Sequence, residues 1–160
     1  MRHDRCPIAS RFIDTRDDAL SYYEHRLVGD HPVTLRGGIP MVVRFNREEI
    51  HLFTEKRTPC PPDCVTHRPG ARSREVRCFS VERARMLDLV IPTIVAPITA
   101  LRARTGTKLF GPPEQGSSRR LCVVVTPGDR VYFVRTAFPV NPTGFKNALR
   151  SDPPTPWPPR

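Results

Sequence analysis

The spacing of apolar residues divides this 160-residue chain into two unequal parts. Beyond Pro97, apolar and polar positions alternate with a period of two, the signature of strands with one buried face. This predicts strands at 98–104, 108–110, 121–126 and 131–138, with Pro127-Gly128-Asp129 as the hairpin turn between the last two. Just upstream, in CFSVERARMLDLVIPTI, apolar residues fall at Val81, Ala84, Leu87 and Ile91, one face of a helix. Ser80 is placed to cap that helix, Glu82 lies in the first turn where the dipole favours an acid, and Pro92 is expected to end it. The second half therefore reads as a helix followed by an antiparallel meander.

The first half is less regular. Residues 1–38 are polar and mixed in charge, with one short helix predicted at 17–25 and a joint at Arg36-Gly37-Gly38. Next, IPMVVRFNREEIHLFTEKR reads as a β-hairpin arm: a strand at 41–45, a polar turn at 46–49, and a strand at 50–53. The expected fold class is α+β, with short helices packed on a four-stranded antiparallel meander and an N-terminal β-hairpin arm. Along the chain this gives a polar segment at 1–38 and a single domain at 39–150, divided into hairpin and loop (39–73) and core (74–150). A Pro-rich tail of polyproline type follows at 151–160. Before it, FKNALR is expected to add a short helical turn.

The last strand poses a chemical question. In RVYFVRTAFPV, Arg135 and Thr136 interrupt an apolar run, and a charge or hydroxyl inside a sheet core is costly unless paired. A regular strand puts Tyr132, Val134, Thr136 and Phe138 on one face and Val131, Phe133, Arg135 and Ala137 on the other. Arg135 and Thr136 can share a side only where the strand bulges or ends.

Charge narrows the range of partners. The formal net charge is +10, and it is unevenly placed: residues 1–70 hold eleven Lys and Arg against ten Asp and Glu, while 71–160 hold fifteen against six. Only Lys56, Lys108 and Lys146 are lysines, which fits a GC-rich coding bias, but that bias does not account for the scarcity of acids after Gly70. A basic half of this kind suits a polyanion, and nucleic acid is the common one. No run of about 18 apolar residues occurs and the N-terminus has no apolar h-region, so neither a membrane partner nor a secretory signal is expected, and the expected location is cytoplasmic.

Cys60, Cys64, His67 and Cys78 have a spacing that could in principle supply four zinc ligands. Prolines inside the first pair constrain the knuckle, and Cys78 reads as part of an apolar face, so no metal is expected. Five cysteines, an odd number, also argue against a disulfide framework.

The combination FSVERARMLDLVIPTIVAP, then a basic linker with KLF, then LCVVV, a turn and YFVRTAFPV resembles the compact phage-associated members of the barnase/EndoU/colicin/RelE-like (BECR-fold) ribonuclease superfamily. The resemblance spans residues 74–150, and its most specific piece is the terminal strand ending in Thr-Ala-Phe-Pro. It implies a helical segment leading into a four-stranded antiparallel sheet that cuts RNA on its concave face. The implied activity is toxin-like, needs no metal or cofactor, and leaves a 2′,3′-cyclic phosphate. The implied partners are RNA and a cognate inhibitor protein.

On that basis Arg135 would face phosphate and Thr136 would hydrogen-bond beside Tyr132. Arg83 and Arg85, off the apolar stripe of the helix, join Arg102, Arg104 and Lys108 as candidate RNA contacts. All five histidines lie before Gly70, so the acid or base is either His51, in IHLFTEKR, or a set of Arg, Lys and Tyr. The competing class is a non-catalytic nucleic-acid-binding accessory protein of a phage or mobile element; a third is a protein-interaction module using the Pro-rich tail. The two leading classes differ in geometry: an enzyme gathers Arg83 or Arg85, Arg135, Thr136 and a titratable group at one place, whereas a binder spreads its arginines along a face.

Overall fold

The computed structural model describes residues 9–59 and 75–159. Strands β1 (Gly29–Leu35) and β2 (Ile39–Phe45) form an antiparallel hairpin. Strands β5 (Thr99–Arg102), β6 (Thr107–Phe110), β7 (Arg120–Pro127) and β8 (Tyr132–Val140) pair antiparallel in succession. The two groups join through a parallel pairing of β2 with β8, Val43 opposite Tyr132 and Arg44 opposite Phe133. The result is a six-stranded mixed sheet in the order β1-β2-β8-β7-β6-β5. A separate antiparallel ribbon consists of β3 (Glu55–Pro59) and β4 (Glu75–Phe79).

This corrects the expected fold class. The four antiparallel strands of the second half are present, but they are part of a larger mixed sheet rather than a complete meander. The hairpin is not an arm but the sheet's own extension. Its first strand, β1, lies inside the segment read as merely polar. It is a sheet-edge strand whose Asp30, Pro32 and Thr34 face water while Leu35 is buried, so its apolar signal is halved, and a proline is tolerated on an edge. The joint at Gly37 and Gly38, with φ of 94° and 82°, is the β1–β2 turn.

Residues 50–53, expected to be a strand, instead belong to a helical segment. A 3₁₀ turn at Arg47–Glu49 leads into helix α2 (His51–Thr54), following α1 (Arg16–Tyr22) near the start of the chain. The alternation Ile50-His51-Leu52-Phe53 mimics a strand, yet Phe53 is fully buried and Thr54 returns both its backbone N–H and its hydroxyl to the Ile50 carbonyl, at 3.2 and 3.0 Å. The helix expected to end at Pro92 is two helices, α3 (Val81–Arg85) and α4 (Val90–Val95), separated by a 3₁₀ turn at Leu87–Leu89. Ser80 does cap α3, its hydroxyl accepting from the Arg83 N–H at 3.3 Å. Pro92 sits in the first turn of α4, where the missing N–H would have had no helical partner anyway.

The break between α3 and α4 is held by the N-terminal segment. The Ser10 N–H donates to the Asp88 carboxylate at 2.8 Å, the Asp88 N–H donates to the Ser10 hydroxyl at 3.0 Å, and the Tyr22 hydroxyl also donates to Asp88. The main core lies between α1, α2, α3, α4 and one sheet face, centred on Tyr23, Phe45, Phe53, Leu87, Ile94 and Val123. On the opposite face Leu101, Phe110 and Cys122 pack under Phe145 and Ala148 of α5 (Pro142–Ser151). Asn141 caps α5 through the Gly144 N–H at 2.7 Å.

The Pro-rich segment, expected as a polyproline tail, packs against the sheet. The Arg102 N–H donates to the Pro153 carbonyl at 2.8 Å, and the Thr155 N–H donates to Ala100 at 3.0 Å, which covers the β5 edge. The Trp157 indole donates to the Ile94 carbonyl at 2.8 Å.

Candidate functional site at the bulge of strand β8

Strand β8 is not regular. Val134 pairs with Val125 and Thr136 pairs with Val124, so Arg135 is an extra residue opposite no partner, a β-bulge. The burial pattern agrees, because Val134 and Ala137 both enter the main core although they lie three residues apart. The bulge lets Arg135 and Thr136, consecutive in sequence, turn the same way, toward residues 49–52. The Arg135 guanidinium donates to the Glu49 carboxylate at 2.6 Å, and the Thr136 hydroxyl donates to the Leu52 carbonyl at 2.5 Å.

Arg135 has five N–H donors. Nη1 serves Glu49 and Nε serves the Thr126 hydroxyl at 2.9 Å, while the guanidinium stacks 4.7 Å from the centre of the Phe133 ring. Its side chain is 39 % exposed, so the remaining N–H groups are open to a ligand. Glu49 is less exposed, and its second oxygen, Oε2, is buried without a hydrogen-bond partner. Glu49 and Glu48 also raise the pKa of the nearby Tyr23 hydroxyl, although burial is the larger cause. His51 starts α2 two residues beyond Glu49, with Nδ1 3.0 Å from the Glu48 carbonyl. A carboxylate, a guanidinium and a hydroxyl therefore gather around one irregular strand, and an imidazole starts the helix two residues beyond the carboxylate.

Arg83 reaches the same place from α3 and has a different character. It donates to the Leu52 carbonyl at 2.8 Å, the Ala137 carbonyl at 2.9 Å, the Thr136 hydroxyl at 3.3 Å, and also to the Glu55 carbonyl. Leu52 and Glu55 stand at the C-terminal end of α2, where carbonyls lack helical donors and a cation is favoured. Ala137 lies on the part of β8 beyond its pairing with β2. Arg83 thus closes the end of α2 against the open side of β8. Burial, and secondarily the charge of Arg77, lowers its pKa below the ordinary arginine value, and its Nε is buried without a partner.

The other residues named from the sequence are dispersed. Tyr132 packs against the main core, its ring 5.3 Å from that of Trp157, on the side away from Arg135. Arg85 binds the Ile13 carbonyl at 2.9 Å and Asp14 at 2.5 Å, fastening the N-terminal segment. Lys108 pairs with Asp152 at 2.7 Å, just past the end of α5. Arg102 and Arg104 are exposed, at the end of β5 and in the turn after it. Cys60, Cys64 and His67 lie outside the described residues, and among the described residues no group of three His, Cys, Asp or Glu is arranged to hold a metal ion.

Glu49 is the member of the cluster that the sequence does not single out. It reads as one acid of a polar turn, and its contact with Arg135 joins residues 86 positions apart. No protein-family model matches this chain, and no curated protein or solved structure matches it either.

Proposed function

We propose that this chain is a metal-independent ribonuclease, toxin-like in action, whose reacting groups gather at the bulge of β8. The observation that carries the reading is the bulge, which sets Arg135 and Thr136 side by side, the first on Glu49 and the second on the Leu52 carbonyl of the helix that His51 begins. RNA cleavage without a metal needs three things: a base to take the ribose 2′-OH proton, a cation for the charge building on phosphorus, and an acid for the departing 5′ oxygen. The free N–H groups of Arg135 suit the phosphate oxygens, since the planar guanidinium fork matches them. The titratable candidates for the base and acid are Glu49, bonded to Arg135, and His51, two residues further along the chain. The 2′ oxygen attacks phosphorus, the bond to the 5′ oxygen breaks, and the products are a 2′,3′-cyclic phosphate and a 5′-hydroxyl end. A cognate inhibitor protein fits such an activity.

The test is incubation of end-labelled single-stranded RNA with the full chain in the presence of a chelator. Products ending in 2′,3′-cyclic phosphate, resistance of a strand with a 2′-deoxy nucleotide at the cut, and a loss of about 100-fold or more on Arg135→Ala would support the reading. Cleavage of the deoxy strand, or an Arg135→Ala protein as active as the parent, would end it. His51→Ala separates two versions of the site: an abolished rate assigns His51 as acid or base, and an unchanged rate leaves Glu49 and the arginines. A second reading, a nucleic-acid-binding protein with no acid/base pair, is favoured by Arg83, whose donors are turned to the protein's own carbonyls.

A further inference from the structure

Sheet topology collects three turns at one end of the molecule. Because β2 runs parallel to β8, the β1–β2 turn lies at the same end as the β7–β8 turn, and the antiparallel order of β5 to β8 brings the β5–β6 turn there as well. Close packing fixes the last of these: a Cβ on Gly106 would lie 2.1 Å from the Val125 carbonyl oxygen, so only glycine lets this turn sit against β7. These turns carry Arg36, Arg102, Arg104 and Arg130, all exposed.

None of the four has a carboxylate partner among the described residues, whereas Arg16, Arg44, Arg47, Arg85, Lys108, Arg119 and Arg135 each pair with one. Arg130 adds an independent sign. Its φ is +62°, the left-handed region that glycine or asparagine usually fills, in a turn closed by the Gly128 N–H on the Val131 carbonyl at 2.8 Å. A strained backbone position occupied by arginine holds a charge at a cost in stability, and such strain is found where function retains it.

We infer that this end of the sheet binds the phosphate backbone of single-stranded RNA. The arginines form a spread row over the curled sheet end rather than a point, Arg36 lying near the start of β5 and Arg130 beside Pro32, Pro40 and Met41 of the β1–β2 hairpin. Two shallow grooves with partly apolar floors lie there, one lined by Arg36, Ile98, Ala100 and Trp157, the other by Arg102, Pro127 and Pro156, with Thr155 shared by both. Arginines flanking apolar floors suit a flexible strand, whose phosphates meet the cations while its bases lie on uncharged surface. The surface is distinct from the bulge, and its argument does not rest on the ribonuclease reading.

The experiment is fluorescence anisotropy with a labelled, uncleavable 2′-O-methyl oligonucleotide and the full chain. The variant Arg36→Gln/Arg104→Gln/Arg130→Gln is expected to bind at least tenfold more weakly, and its plot of log affinity against log salt to flatten by about 2, near 0.7 for each lost phosphate contact. Arg130→Gly removes one charge while relieving the backbone, so it should bind more weakly and melt at a higher temperature, which separates charge from folding. Unchanged affinity and salt slope in the triple variant would overturn the inference, as would tighter binding of duplex DNA than of the single strand. A parent protein that binds through this row but cuts nothing would end the ribonuclease reading and leave this one intact.

Discussion

Arg83, reaching β8 from α3, and Arg130, in the β7–β8 turn, mark two regions of the molecule that treat the same side chain in opposite ways. At the bulge, three carbonyls and a hydroxyl surround Arg83, and its guanidinium holds elements together, while Arg135 beside it spends only part of its donors on Glu49 and Thr126. At the turn end, Arg36, Arg102, Arg104 and Arg130 have no carboxylate partner among the described residues. An arginine supplied with internal acceptors has its charge already stabilised; one without them presents that charge to solvent and to any polyanion nearby. Net charge therefore does not locate a binding surface. The acceptors around each cation do.

The comparison is most sharply tested at Arg83. Arg83→Ala would leave the Leu52, Glu55 and Ala137 carbonyls short of a donor, and a loss of about 3 kcal/mol in urea unfolding is expected. Arg83→Lys should recover only part of this, because one ammonium cannot span carbonyls from α2 and β8 together. A loss below about 0.5 kcal/mol, the range of ordinary surface substitutions, would erase the distinction between the two regions. Trp157→Ala addresses the support of the turn end, since the indole anchors the segment that covers β5. The expected loss is again about 3 kcal/mol, at the low end for a large aromatic, because Trp157 is only partly buried.

Tyr23 gives a smaller effect with a defined sign. Its folded pKa lies above the ordinary tyrosine value of about 10, so its contribution to stability is full below that pH and declines as pH rises past it. Tyr23→Phe should lose about 1 kcal/mol at neutral pH, the worth of the hydroxyl's bond to the Asn46 carbonyl, and show a flatter decline in alkali. Equal alkaline slopes for parent and variant would contradict this. An effect of similar size and opposite sign is expected at Arg130, where replacement by glycine should raise unfolding stability by about 1 kcal/mol through relief of the left-handed backbone. A destabilised Arg130→Gly protein would mean the turn depends on that side chain.

Where local spacing decides structure, the sequence was informative. Ser80 as a cap, the runs at 121–126 and 131–138, and the need for a bulge if Arg135 and Thr136 were to act together can all be read from neighbouring residues. Strand β1 was hidden because an edge strand with Asp30, Pro32 and Thr34 outward lacks half of its apolar signal. Helix α2 reads as a strand because a single turn is too short for a helical period to appear. The break between α3 and α4 depends on Asp88 meeting Ser10 and Tyr22, and the cluster at the bulge depends on Glu49 meeting Arg135. Each is a contact between distant parts of the chain, which spacing along the sequence does not encode.

The parallel seam between β2 and β8 also governs how the molecule assembles. The β1–β2 hairpin can close early, yet its partner strand β8 lies far along the chain, so the centre of the sheet must wait for a long loop to close. During synthesis Glu49 and His51 emerge long before Arg135 and Thr136, and the bulge exists only once both are in place. A ribosome therefore releases the groups of this cluster as separate pieces, and they can meet only after residue 136 has emerged.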